Sequence, residues 1–84
     1  MGFQGFLDVS YAELVEKFGE PFIDYGSKVP YSWDININGV EGSVYGYYTT
    51  KGSKTWHIGG GENILEALNT IFGEKVREVK FTNL

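Results

Sequence analysis

The sequence predicts a small α+β protein with the element order α-β-β-β-α-β, in which two helices cover one face of a mainly antiparallel, four-stranded sheet. Three observations indicate this fold. Two segments repeat apolar residues at helical spacing, a central segment alternates apolar and polar residues as a strand does, and an Asn-Gly pair follows it as in a tight hairpin. Two helices on one face are the simplest arrangement that buries both apolar stripes. The 84 residues are expected to form a single domain, residues 1 to 84.

The first helix is predicted to begin at a capping box and to end at a glycine. The hydroxyl of Ser10 can accept the amide of Glu13, whose carboxylate can reach back to the amide of Ser10. The apolar stripe that follows repeats at i, i+3, i+4 and i+7 and consists of Tyr11, Leu14, Val15 and Phe18. Gly19 suits a left-handed residue after the helix, and Pro21 prevents the helix from continuing.

Residues 31 to 37 are predicted to form the first arm of a β-hairpin. Trp33, Ile35 and Ile37 alternate with polar residues there, and Asn38-Gly39 supplies the two positive-φ positions of a type I′ turn. A two-residue turn pairs Ile37 with Val40, Ile35 with Gly42, and Trp33 with Val44. The opposite face of the hairpin carries polar side chains and tyrosines, namely Asp34, Asn36, Glu41, Ser43, Tyr45 and Tyr47.

The rest of the chain adds a strand, a helix and a last strand. Residues 55 to 58 are predicted to form the third strand, and residues 76 to 81 the fourth, with Val79 and Phe81 on one face. The second helix lies between them and ends at Gly73. Its buried stripe consists of Ile64, Leu65, Leu68, Ile71 and Phe72.

One core and one uncovered sheet face follow from these elements. The expected core residues are Leu14, Phe18, Trp33, Ile35, Ile37, Val44, Leu65, Leu68 and Phe72. Because both helices are needed to cover one face, the other face stays uncovered. Exposed tyrosines on such a face indicate an interface or a ligand surface.

Composition narrows the classes of protein to which the chain can belong. With no cysteine, it has neither disulfides nor thiolate metal sites. A formal net charge of −4 argues against general binding of duplex nucleic acid, for which a basic surface is needed. No apolar stretch is long enough to span a membrane, and residues 1 to 10 lack the charged and apolar regions of a signal peptide. A soluble, cytoplasmic protein without a membrane partner is expected.

A glycine run stands between the third strand and the second helix, at Gly59-Gly60-Gly61. Helix N-terminal amides are unpaired and the helix dipole adds positive charge, so bare backbone there would let a phosphate approach. Lys51 and Lys54 on the preceding hairpin could add charge, and His57 could add a ring donor. A tight turn with ordinary capping fits the same residues equally well, since the carboxylate of Glu62 can satisfy the dipole itself. Both interpretations stay open.

The remaining candidate residues also have two interpretations. Trp33 and Trp56 share the apolar parity of their strands, so core packing is favoured over ligand stacking. His57 has the opposite parity, which places it on the face that carries Tyr45 and Tyr47. It is the only histidine, no nucleophile stands at a recognisable spacing from it, and no metal-binding motif occurs. We therefore expect a binding protein rather than an enzyme, with no catalytic residue, metal or cofactor.

Four segments of the chain form a recognisable set: F-G-E-P at residues 18–21, S-W-D-I-N-I at 32–37, V-Y-G-Y-Y at 44–48 and W-H-I-G-G at 56–60. With these segments, most of the chain resembles a widespread family of small bacteriophage proteins. It implies an immune-evasion protein of the anti-CBASS type, a sponge that binds a cyclic dinucleotide in the cytoplasm of the infected host without cleaving it. The signature residues of the family fall on Tyr45, Tyr47, Trp56, His57, Gly59 and Gly60. Residues 49–55 form a shorter loop than in the family, which affects any base contact made there.

The resemblance and the local chemistry together define an expected ligand site. Lys51, Lys54 and Gly61 join the signature residues, because a cyclic dinucleotide offers bases to aromatic rings and phosphates to lysines and glycine amides. The near two-fold symmetry of this ligand suits a homo-oligomer, either a dimer or a tetramer. The alternative from another class is a protein-binding inhibitor of a host enzyme, acting through the acidic, tyrosine-rich sheet face.

Overall fold

The chain folds into an antiparallel sheet with two helices, as given by a computed structural model that describes residues 2–26, 28, 30–46, 54–61 and 63–78. The elements in chain order are β1 (Gly2–Leu7), α1 (Tyr11–Phe18), β2 (Phe22–Ile23), β3 (Tyr31–Ile37), β4 (Val40–Gly46), β5 (Trp56–Gly60), α2 (Asn63–Phe72), a 3₁₀ turn (Gly73–Lys75) and β6 (Val76–Glu78). The strands lie side by side in the order β2-β3-β4-β5-β1-β6, and each neighbouring pair is antiparallel.

The α+β class and the two helices are confirmed, but the predicted four-stranded sheet is wrong because the described residues form six strands. Strand β1 was missed because its sequence, G-F-Q-G-F-L, has two glycines and no regular alternation. A β-carbon on Gly5 would lie 2.1 Å from the carbonyl oxygen of Arg77, so this glycine serves the close approach of β6 rather than a turn. Strand β2 was missed because only Phe22 and Ile23 pair with β3.

The locally signalled elements form as predicted. The Oγ atom of Ser10 accepts the amide of Glu13 at 3.1 Å, and the Ser10 amide donates to Oε1 of Glu13 at 3.4 Å, so the capping box is complete. Gly19 follows α1 with a φ of 84°. At the hairpin, Asn38 and Gly39 have φ values of 53° and 89°, and the predicted pairs Ile37–Val40, Ile35–Gly42 and Trp33–Val44 are all present.

Both helices contribute to one core on one face of the sheet. All nine predicted core residues belong to it, five of them buried and four partly buried at its margin. Strand β1 adds Leu7, which the sequence analysis did not place in the core, and β5 adds Ile58 together with Trp56, for which core packing was the favoured interpretation. The rings of Trp33 and Trp56 meet edge to face at 5.3 Å. Their indole nitrogens donate to the carbonyl oxygens of Gly19 at 2.8 Å and Val9 at 3.0 Å, so neither polar group is buried unsatisfied.

Two ion pairs connect β6 and the 3₁₀ turn before it to residues in and just before helix α1. The guanidinium of Arg77 donates to both carboxylate oxygens of Asp8, and this bond lowers the pKa of the Asp8 carboxyl. The ammonium of Lys75 donates to Glu13 at 2.8 Å, and with the Ser10 amide it lowers the pKa of the Glu13 carboxyl. Of the predicted strand 76–81, Val76–Glu78 is formed, whereas Val79 and Phe81 lie outside the described residues.

Neither of the two helices that the structure describes is long and apolar enough to cross a bilayer.

We predict that truncating Leu68 destabilises the fold strongly. Leu68 is fully buried between α2 and the sheet, so Leu68→Ala should lower the free energy of unfolding by about 2–5 kcal/mol. Ile71 on the same helix was predicted to be buried but is 38% exposed, and Ile71→Ala is therefore the matched control, expected to cost about 1 kcal/mol or less. Urea unfolding of both variants measures the difference. Equal losses would show that α2 does not pack through Leu68.

Candidate functional site

A row of aromatic side chains crosses the sheet face that lies opposite the two helices. Cross-strand pairing places Tyr45 beside His57, His57 beside Phe6, and Phe6 beside Arg77. The rings of Tyr45 and His57 stack at 5.3 Å with an interplanar angle of 15°, and Phe6 meets His57 at 5.3 Å. The guanidinium carbon of Arg77 lies 5.0 Å from the centre of the Phe6 ring. We call Tyr45, His57, Phe6 and Arg77 the aromatic row.

Next to the aromatic row, the surface of the sheet face forms a depression. The neighbouring line of paired residues is Asp34, Ser43, Gly59 and Phe3, and its two central members have the smallest side chains. A groove of about 630 Å³ lies there, bordered by the Tyr45 and Phe3 rings. Its polar lining comes from Asp34, Asn36, Glu41 and Ser43. The volume falls within the roughly 300–1,000 Å³ that is usual for small-molecule sites.

Gly59 shapes the boundary between the aromatic row and the groove. A β-carbon at this position would lie 3.2 Å from Cε1 of Tyr45 and 3.2 Å from Oγ of Ser43. The tyrosine ring therefore rests over the glycine, and any side chain at position 59 would displace it. Because Gly59 has no side chain, the Tyr45 ring can lie close to the strand backbone, and the groove beside it is not filled at this position.

Gly60 points to the opposite side of the sheet, toward α2. Its φ is +134°, and a β-carbon there would lie 3.0 Å from the Cα of Gly42 and 3.1 Å from the carbonyl oxygen of Glu41. A β-carbon on its partner Gly42 would in turn lie 2.5 Å from Cγ1 of Ile64. These two glycines let α2 contact the backbone of the sheet directly.

The predicted phosphate constellation is not brought together. Gly59 and Gly60 end β5 and pair with β1 on one side and β4 on the other, and the carbonyl oxygen of Gly60 also accepts the side-chain amide of Gln4 at 2.9 Å, so their backbone is engaged within the sheet. Lys54 precedes the other end of β5, six residues before Gly60, which corresponds to about 20 Å at ~3.3 Å per residue. Gly61 alone of the three is outside the strand. Lys51 and Tyr47 lie outside the described residues.

The two neighbouring residues Trp56 and His57 lie on opposite faces. Trp56 exposes none of its surface and packs in the core, in agreement with the favoured interpretation. His57 is part of the aromatic row with Tyr45, as the parity of its strand predicted. Its Nδ1 atom is buried within the row.

Several residues of the site were missed by sequence reasoning. Phe3 and Phe6 belong to β1, and without that strand nothing assigned them to the open face; their rings lie 5.1 Å apart and both approach His57. Arg77 was missed because its place beside Phe6 depends on the pairing of the two ends of the chain. A phenylalanine pair flanked by glycines, as in G-F-Q-G-F, was the available signal for β1.

Comparison with known proteins gives no further information about the site. No protein-family model, no curated protein and no solved structure matches the chain. Within the described ranges, no group of three or more histidine, aspartate and glutamate side chains is arranged to hold a metal ion.

We predict opposite effects of alanine at two adjacent glycines. Gly60→Ala should destabilise the fold by about 1–3 kcal/mol, because φ is positive and the added methyl group meets backbone atoms. At Gly61 a β-carbon meets nothing within 4 Å and φ is not positive, so Gly61→Ala should be neutral or stabilise by up to about 1 kcal/mol. Thermal unfolding of both variants is the measurement. A stable Gly60→Ala variant would contradict the assigned contact with Gly42.

Proposed function

We propose that this protein binds a cyclic dinucleotide in the groove and withholds it from bacterial anti-phage signalling without cleaving it. The observation that supports the proposal is a groove of ligand size that is lined by the aromatic residues Tyr45 and Phe3 and has the small residues Ser43 and Gly59 at its centre. A flat base can stack on an aromatic ring at the edge of the groove, and stacking on one ring contributes about 1–3 kcal/mol per base. The anti-phage role rests on the resemblance to small phage proteins.

The aromatic row gives Tyr45 a fixed orientation at the side of the groove. The ring is stacked on His57, which is itself held against Phe6, so the platform needs little further ordering when a ligand arrives. The rotational freedom of a side chain that is already packed is not lost on binding. A preorganised ring is therefore a better stacking partner than an isolated surface tyrosine.

Binding without cleavage is supported by the chemistry of the described residues. Phosphodiester cleavage needs an activated nucleophile, a general base or a set of metal ligands near the scissile bond. The single histidine is stacked on Tyr45 and packed at a tilt against Phe6, and the carboxylates of the groove do not converge with it into a metal-binding group among the described residues. We therefore propose a sponge rather than a hydrolase.

A second candidate function is inhibition of a host enzyme by protein binding. It is favoured by an exposed apolar patch at the β2 edge of the sheet, where Phe22 is 71% and Tyr25 is 69% exposed. Together with the acidic side chains of the open face, this patch would suit an enzyme surface that carries basic residues around an apolar centre. A protein that binds no nucleotide but still blocks a host enzyme would favour this candidate.

We predict that Tyr45→Ala weakens binding of a cyclic dinucleotide by roughly 5- to 150-fold, the equivalent of one lost stacking contact. Tyr25→Ala is the matched control, because Tyr25 is exposed and does not line the groove. Calorimetry with cyclic di-GMP and cyclic di-AMP measures the affinities, and chromatography of the recovered ligand tests whether it is intact. Saturating ligand at 100 times its dissociation constant should also add about 2.7 kcal/mol of stability. Cleaved ligand, or no binding by the wild type, would refute the proposal.

We also predict that the protein forms a homo-oligomer, a dimer or tetramer, when the ligand is bound. A cyclic dinucleotide has two bases related by near two-fold symmetry, and two copies of the groove can receive both. Light scattering with and without ligand gives the mass in solution. A mass for the saturated complex equal to that of one 9.4 kDa chain plus its ligand would contradict this arrangement.

A further inference from the structure

We infer that the groove selects guanine among the bases, an inference that rests on the proposed nucleotide binding. The polar lining of the groove is unusual for a nucleotide site because it carries two carboxylates, Asp34 and Glu41. Carboxylates repel the phosphates of a nucleotide but accept hydrogen bonds from base donors. The part of the ligand that enters the groove is therefore a base edge rich in N–H groups.

The register of the hairpin sets the spacing of the two carboxylates. Asp34 is paired with Ser43, and Glu41 lies two residues from Ser43 on the same face of β4. The Cα atoms of such a diagonal pair are separated by roughly 7–8 Å. The two carboxylates therefore stand at one end of the groove, with space for the planar edge of a base between or beside them. Both side chains are exposed, and neither takes part in an ion pair or hydrogen bond found among the described residues.

Guanine matches this arrangement better than the other bases. Its Watson–Crick edge presents the adjacent donors N1–H and N2–H₂, which one ionised carboxylate can accept together. The neighbouring O6 is an acceptor and needs a donor. Asn36 provides one, because its Oδ1 accepts the Gly39 amide at 2.9 Å and its amide nitrogen is left as the donating end.

Adenine is disfavoured by the same lining. It has one exocyclic amino group on this edge, and its N1 is an acceptor that would face a carboxylate oxygen with no proton between them. Leaving a polar group unpaired in a binding site is the main way in which a site rejects a close analogue. The groove therefore discriminates through the 2-amino and N1–H groups of guanine, while Tyr45 stacks on either purine.

Three ligands test the inference with the full-length chain: cyclic di-GMP, cyclic di-AMP and cyclic di-IMP, which lacks only the 2-amino groups of guanine. We expect the wild type to bind cyclic di-GMP roughly 10- to 100-fold more tightly than cyclic di-IMP, as expected for a hydrogen bond to a charged group, and cyclic di-AMP more weakly still. The variants are Asp34→Asn, Glu41→Gln and the double variant, which keep shape but remove charge. Glu20→Gln is the control, because Glu20 is exposed and does not line the groove.

The double variant should lose roughly 10- to 100-fold in affinity for cyclic di-GMP and change little toward cyclic di-AMP, so that selectivity disappears. Equal wild-type affinity for the three ligands, or unchanged selectivity in the double variant, would overturn the guanine assignment and leave nucleotide binding in place. Failure of every cyclic dinucleotide to bind would overturn both the assignment and the proposed function. Circular dichroism of each variant confirms that a loss of affinity is not a loss of fold.

Discussion

Helix α2 lies directly on the sheet backbone at Gly42 and Gly60, and the positions of the strands around the groove depend on that contact. A β-carbon on Gly42 would stand 2.5 Å from Cγ1 of Ile64 and 2.8 Å from the carbonyl oxygen of Gly59, so any other residue at position 42 would force the Ile64 side chain and β5 to shift. Ile64 is fully buried as a result, and it joins the helix to the centre of the core. A core of this size contains few residues, so one close contact between helix and sheet contributes a large share of the apolar surface that is buried on folding. Central strands β4 and β5 are thus held together by packing as well as by hydrogen bonds.

The same strand that receives α2 on one face forms the groove on the other. Residues in a strand alternate between faces, so adjacent glycines in β5 act on opposite sides of the sheet. Gly60 leaves room for close packing on the face that α2 covers. Gly59 leaves room for the Tyr45 ring on the opposite face and adds no side chain to the groove. Strand β1 then completes the site, because it brings Phe3 to the edge of the groove and Phe6 to the aromatic row. Two adjacent glycines of β5 therefore serve the core packing and the groove separately. A substitution of one of them need not disturb both the fold and the site.

Local signals allowed part of this structure to be predicted from sequence. The capping box at Ser10 and the Asn38-Gly39 turn act over a few residues, and α1 and the β3–β4 hairpin formed as expected, with the correct register. Strand β1 could not be predicted in the same way, because Gly5 is required by a carbonyl group at the far end of the chain. Its glycines resembled those of a loop. Its bulge between Phe3 and Gly5 also interrupted the regular alternation of side chains between the two faces of the sheet.

The site itself was predicted only to the extent that strand parity determines it. Parity placed Tyr45 and His57 on one face, but their stacking depends on the register between β4 and β5, which no short motif encodes. The glycine run had two interpretations in the sequence, a phosphate-binding turn and a plain turn. The structure shows a third arrangement for Gly59 and Gly60, in which they lie within a strand: Gly59 makes room for the Tyr45 ring, and Gly60 makes room for the backbone of Glu41 and Gly42 in β4. Close packing of this kind depends on residues that are distant in sequence, such as Tyr45 and Gly42.

The charge of the groove decides how a nucleotide can enter it. A phosphate placed 4 Å from Asp34 or Glu41 would be repelled by about 4 kcal/mol at the effective dielectric constant of a protein surface, more than a stacked base contributes. A donor edge at the same place gains a charge-assisted hydrogen bond of about 1.5–3 kcal/mol instead. The free-energy difference between the two orientations is large enough to fix one of them. A cyclic dinucleotide held by this protein would enter base first, with its phosphates on the solvent side, where the second base can reach the groove of a neighbouring copy.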